Sequence, residues 1–228
     1  MLDKKSITDI DIANKTIKLF DKFTLEEVNM NKLHITLFSL IACFCLFACP
    51  NESLAQTAEE PVVLTSCGQS PGPVRLKIFM QRLKMDFDYS LQVTAADLIK
   101  AKEDGKAYKT LIIVTGASLK GMGAAGVSID DELARTKTLI AEARKQGITV
   151  VGSHIEGMAR RSQGAASGDN SDEQSIDAVC PVSDFMIIKK EGDQDGRFTA
   201  ISKGKDIPLV VFELNTGISD VLKKVFNK

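Results

Sequence analysis

From Pro61 onward the chain alternates short, nearly continuous apolar runs with stretches of helical pattern, and this succession limits the fold more than any other feature. The apolar runs lie at residues 62–66, 87–92, 110–115, 149–152, 184–188 and 208–213 and include LIIV, TVV, FMII and LVVF. Strands covered on both faces read this way. Helices are predicted between them at 73–85, 95–102, 130–146, 171–179, 198–202 and 218–226. The clearest is 130–146: Asp130, Asp131 and Glu132 load its first turn with negative charge, Arg144 and Lys145 load its last, and Gly147 stops it. Such alternation predicts a three-layer α/β/α sandwich around a mainly parallel sheet of five to six strands, flavodoxin-like or Rossmann-like, with right-handed crossovers.

The first third of the chain has another character. Residues 35–48 read ITLFSLIACFCLFA, too short for a membrane span of about 20 residues and suited to the core of a secretory signal. Met30-Asn31-Lys32-Leu33-His34 gives a short positive lead, and Ser53 and Ala55 satisfy the small-x-small cleavage rule before Gln56. Residues 30–55 therefore read as a signal peptide, 56–60 as a linker and 61–228 as one α/β domain, exported to the periplasm or beyond. Residues 1–29 carry Asp3, Asp9, Asp11, Asp21, Glu26 and Glu27, the wrong charge for a signal. They read as a mis-assigned start, with translation beginning at Met30, or as a cytoplasmic extension. Leu46-Phe47-Ala48-Cys49 resembles a lipobox, so lipidation at Cys49 is the alternative to cleavage after Ala55; a membrane enters only through this leader or that lipid.

Charge and composition remove several functions. The 29 Lys and Arg nearly cancel the 30 Asp and Glu, leaving no basic field for nucleic acid. Aromatic residues make up 6% with no Trp, which argues against base-stacking platforms and aromatic sugar clefts. A small polar or anionic ligand fits better.

In a sheet of this type ligands sit outside the carboxyl ends of the strands. The loops expected there are rich in glycine and serine: residues 66–72, 116–126 and 152–161. They supply the candidate ligand contacts Gly68, Gln69, Ser70, Ser118, Lys120, Gly121, Gly123, His154, Glu156, Arg160 and Arg161. Gly121-x-Gly123-x-x-Gly126 matches the dinucleotide fingerprint on paper, but five residues separate it from the strand and no acid ends the next strand, so no cofactor is expected. The glycines could still turn backbone N–H groups toward an anion beside Lys120, and Arg160 with Arg161 could clamp a carboxylate or phosphate. Lys189, Lys190, Glu191, Glu213 and Asn215 complete the polar rim. Asp193-Gln194-Asp195-Gly196 lacks the remaining ligands of a calcium loop and reads as a turn. One histidine after the leader, with no paired ligand spacing, predicts no metal site.

The weak catalytic candidates are His154 as base with Ser118 or Cys67 as nucleophile, although the segment around Ser118 is one residue too long for a Gly-x-Ser-x-Gly elbow. Cys67 and Cys180 could pair in an oxidising compartment or remain two buried thiols.

The segment from Thr65 to Ser70, the loop GASLKGMGAAG with the helix start Asp130-Asp131-Glu132-Leu133, and GSHIEGMARR resemble a family of exported bacterial proteins known only as a domain of unknown function. The resemblance runs from about Pro61 to Phe226. It implies the same fold and a signal peptide, implies no activity or catalytic residue, and argues against a catalytic role for either cysteine. The reading is a non-enzymatic extracytoplasmic binding module. The alternatives are an exported hydrolase or transferase using His154 with Ser118 or Cys67, and a protein-interaction accessory of a membrane complex with the loop of about twenty residues after the fourth strand as its epitope.

Overall fold

A computed structural model describes residues 57–161 and 168–228. The expected signal peptide, its two expected processing sites and the first 29 residues lie outside the described residues. Six parallel strands, β1 (Val62–Cys67), β2 (Phe87–Tyr89), β3 (Thr110–Thr115), β4 (Thr149–His154), β5 (Phe185–Lys189) and β6 (Leu209–Phe212), form one sheet in the order β2-β1-β3-β4-β5-β6. This is the flavodoxin-type order, whose direction of travel reverses between β1 and β3.

The helices α1 (Gly72–Arg82), α2 (Ala95–Glu103), α3 (Leu119–Ala125), α4 (Ile129–Gln146), α5 (Ser171–Val179), α6 (Arg197–Lys205) and α7 (Ile218–Val225) cover both faces. On one face Leu76 and Met80 of α1 and Val221, Leu222 and Val225 of α7 pack on Leu64, Ile112, Val151 and Phe185. On the other, Leu98 of α2 and Leu139 and Ala143 of α4 pack on Val63, Ile113 and Val150. The same face continues through Ile176 and Phe198 onto Met186 and Ile188. β1 and β3 are buried at every position, which explains their unbroken apolar runs.

Helix α4 starts one residue earlier than predicted because Ser128 caps it, its hydroxyl accepting from Asp131 N–H while Asp131 reaches back to Ser128 N–H. β2 is half as long as predicted. Past Tyr89 the chain leaves the sheet edge and turns Leu91 carbonyl back to accept from the hydroxyls of Thr65 and Ser66.

Candidate functional site

The carboxyl ends of β1 and β3, where a crevice is expected, are joined by the protein's own backbone. Gly68 and Gln69 both take positive φ, 102° and 60°, turning the chain after β1 across the end of β3. There Gln69 bridges Ala117, and Ser118 N–H donates to Gly68 carbonyl at 2.7 Å. Only glycine fits at 68, since a Cβ would stand 2.7 Å from both Ala117 Cα and Gly116 carbonyl oxygen.

Buried acids fasten these loops. The Glu132 carboxylate of α4 accepts from Gly68 N–H at 2.8 Å and from Arg135 Nε and Nη2 at 3.0 and 2.9 Å. Arg135 in turn donates to the carbonyls of Val93 and Ser66. Glu156, past β4, accepts from Gly72 N–H at 2.9 Å in the first turn of α1, where the helix dipole favours a negative charge. Asp172 at the start of α5 accepts from Ala117 N–H at 2.6 Å, and Ser175 Oγ accepts from Gly116 N–H at 2.9 Å. Burial pushes the Asp172 carboxyl above its ordinary range against the opposing pull of that N–H and of Arg160.

The structure corrects several expectations for these loops. The segment holding Gly121 and Gly123 is not an open cradle but helix α3, capped by Ser118 Oγ accepting from Gly121 N–H at 3.1 Å and ended by left-handed Gly126. Gly121 N–H is taken by Ser118 Oγ and Met122 N–H by Ser118 carbonyl, so neither is turned out toward a ligand. Gly121 is there because Gln69 carbonyl passes it so closely that a Cβ would lie 2.3 Å away. Lys120 is exposed on this helix. Gln69 and Ser70 are buried, with Gln69 Nε2 on Leu91 carbonyl and Ser70 Oγ on Gly72 N–H.

The arginine clamp is also filled from within. Arg161 is 2% exposed; its guanidinium pairs with Glu173 at 2.7 Å and Asp195 at 2.6 Å and reaches Gly192 carbonyl. Arg160 donates to Ala117 carbonyl at 2.9 Å and lies 3.7 Å from Glu156. His154 is the last residue of β4 and fully buried against Phe198, ring centroids 5.1 Å apart. Its Nε2 donates to Gly157 carbonyl at 3.0 Å, leaving Nδ1 facing Thr115 Oγ1 at 3.2 Å. Burial lowers its pKa, so the ring is a neutral structural group. Cys67 points under α4 toward Thr136, and desolvation pushes its thiol up to about 11. Cys67 and Cys180 are both free and buried, and burial raises the Cys180 thiol too. None of the described contacts joins His154 to Ser118 or Cys67. Among the described residues no cluster of ligating side chains could hold a metal.

The open concavity at the carboxyl edge lies one step further along the sheet. A cleft of about 410 Å³ runs between α1 and the turn from β6 into α7. Helix α1 gives it Arg75, Ile78, Phe79 and Arg82; Ile155 past β4 and Phe212, Asn215 and Ile218 complete the wall. None of these residues is acidic, and residues 61–85 hold Arg75, Lys77, Arg82 and Lys84 with no Asp or Glu. That acid-free run was the sequence signal for the cleft. Lys77 lies over the Tyr89 ring and Arg82 over Phe79, at 4.7 and 5.8 Å. Neither Arg75 nor Arg82 makes an ion pair among the described residues. A second hollow of about 540 Å³, between α3, the start of α4 and residues 168–174, carries Asp130 and Asp169 and no cation. It does not suit an anion.

No curated protein matches this sequence. Solved structures resemble it in part. A GDSL-like lipase from Bacteroides thetaiotaomicron is 18% identical, with 74% of this chain and 77% of that one covered and a TM-score of 0.32. The esterase EstA from Pseudoalteromonas is 9% identical, with 73% and 96% covered and a TM-score of 0.30. TesA is 12% identical, with 72% and 95% covered and a TM-score of 0.29. Likenesses this distant say nothing of chemistry. A family model matches residues 59–226, nearly the whole alternating region, and the chain belongs to that family, the domain of unknown function DUF6305.

Proposed function

We propose that this protein is an exported, non-enzymatic binding module that holds a small anionic ligand at the carboxyl edge of its sheet, in the cleft between α1 and α7. The observation that supports it is the pairing of two arginines without acidic partners with a concave wall that contains no acid. A guanidinium offers a carboxylate or phosphate two parallel hydrogen bonds. Cleft volume falls in the range of small-molecule sites rather than of protein interfaces. The ligand class and edge are those expected from the sequence, but the contacts move from Lys120, Arg160 and Arg161 to Arg75 and Arg82.

Export rests on the sequence of residues 30–55. Mass spectrometry of the secreted fraction tests it: a mature chain beginning at Gln56, or a lipidated Cys49, supports export, and a cytoplasmic chain retaining residues 30–55 refutes it. The hydrolase alternative gains nothing from the geometry, because Ser118 Oγ caps a helix and both ring nitrogens of His154 are engaged.

Thermal unfolding against carboxylates, phosphates and nucleotides tests the binding reading. A ligand at about a hundred times its Kd adds about 2.7 kcal/mol, several degrees of Tm for a domain of this size. The shift is expected to vanish in the double variant Arg75→Gln/Arg82→Gln. A shift unchanged in that variant would place the site elsewhere and overturn the reading.

A further inference from the structure

The walls of the cleft say more than charge. Five of the eight lining residues, Ile78, Phe79, Ile155, Phe212 and Ile218, are apolar. Ile78, in the cleft wall, remains 43% exposed; Val74, one turn before it on α1, is 44% exposed, and Leu214, two residues after Phe212 in the chain, 72%. Apolar surface held open to water costs about 25 cal/mol per Å² relative to its burial, and its gathering at one rim marks a contact surface. Arg75, Ile78, Phe79 and Arg82 follow the i, i+3, i+4, i+7 stripe of one helix face. The two arginines therefore bracket the apolar floor, roughly 10 Å apart along α1. Arg82 is drawn onto the Phe79 ring, which leaves Arg75, of the two cations lining the cleft, without a side-chain partner among the described residues.

We infer that the ligand is a single-chain amphiphile, a monomer whose carboxylate or phosphate head pairs with Arg75 and whose alkyl chain lies on Ile78, Phe79, Ile155, Phe212 and Ile218. This rests on the anion-binding reading above and adds the chain to it. A short hydrophilic anion would satisfy Arg75 but leave Ile78 and the open part of Phe79 in water, over the buried side chains of Ile155, Phe212 and Ile218. A neutral hydrocarbon would leave the guanidinium unpaired beside it.

Calorimetric titration of the protein with straight-chain carboxylates from butanoate to dodecanoate, each below its micelle concentration, separates head from chain. A fully buried methylene contributes about 0.8 kcal/mol, close to fourfold in Kd, and a methylene in an open groove about half that, near twofold. Affinity is expected to rise about two- to fourfold per methylene until the groove is full. Arg75→Gln is expected to weaken every member of the series by a common factor, whereas Ile78→Ser, at an exposed position that the core does not need, flattens the chain-length dependence. Equal, Arg75-dependent affinities for butanoate and dodecanoate would overturn the amphiphile and leave anion binding standing. Failure of short and long anions alike would remove both. Alkyl alcohols binding as tightly as the carboxylates would overturn the charged head. Sedimentation with phosphatidylglycerol vesicles that free dodecanoate does not compete away would identify a bilayer surface instead, and overturn the monomer.

Discussion

Replacing Glu132 with Gln removes the charge from the acid that joins Gly68 to Arg135 at the carboxyl edge. The carboxylate is 1% exposed and Arg135 13%, so the variant strands a guanidinium with little water to take over. Breaking a buried pair from one side costs about 3–5 kcal/mol. Arg135 keeps its bonds to Val93 and Ser66 carbonyls, and the new amide oxygen can still accept from Gly68, so the lower end, about 3 kcal/mol, applies. For a domain of this size that is roughly 6–12 °C of Tm. With no Trp in the chain, far-UV circular dichroism in urea is the assay. Arg135→Met strands the opposite charge and costs a similar amount. The double variant, in which neither charge remains, is expected to cost at least about 2 kcal/mol less than the sum of the two. Additive losses, or a Glu132→Gln loss under about 1 kcal/mol, would refute the clasp as an energetic unit.

Two glycines of α3 give opposite expectations. Gly121→Ala forces a Cβ to 2.3 Å from Gln69 carbonyl oxygen and should cost several kcal/mol, whereas Gly123→Ala meets nothing within 4 Å and should add about 0.5–1 kcal/mol of helix propensity; denaturant midpoints compare them directly. His154 sets a pH dependence. The folded state holds its ring neutral, with a pKa lowered by burial, while the unfolded chain takes up a proton below about pH 6.5. Stability is therefore full above that pH and falls as pH drops toward the folded-state value, by up to about 1.4 kcal/mol per unit. His154→Asn should flatten that slope between pH 6.5 and 5, and an unaltered slope would assign the effect to other groups.

The layered fold was legible because its signals are local. Apolar runs mark β1 and β3, and terminal charges with Gly147 mark α4. Where reading failed, distant contacts decide. Ser153-His154 reads as loop, yet it extends β4 beside Ile187 and Ile188, and Gly152 before it is required because a Cβ would lie 2.5 Å from Ser183 Oγ. Lys120-Gly121-Met122-Gly123 has poor helix propensity, yet it is helical because Ser118 caps it and Gly121 admits the passing chain. In the candidate site, Arg160, Arg161 and Glu156 carry the residue types of a ligand clamp, and nothing local tells that their partners are inside the molecule. Arg75 and Arg82 were readable as cations in an acid-free stretch. Their shared cleft with Phe212 and Asn215 depends on which helices the strand order brings together.

The acids that fasten the carboxyl edge all lie downstream of what they hold. Gly68 waits for Glu132, Gly72 for Glu156 and Ala117 for Asp172, at separations of 64, 84 and 55 residues. Such late partners raise contact order and slow folding. A chain emerging from its N-terminus can pair β1 with β3 while both following loops remain untied, the first until α4 has formed and the second until α5 has. The carboxyl rim around β1 and β3 thus closes only after the two strands themselves are available to pair. Until Asp172 of α5 exists, the loop after β3 has no acid to hold Ala117, and the pairing of β1 with β3 precedes the fastening of the loops that follow them.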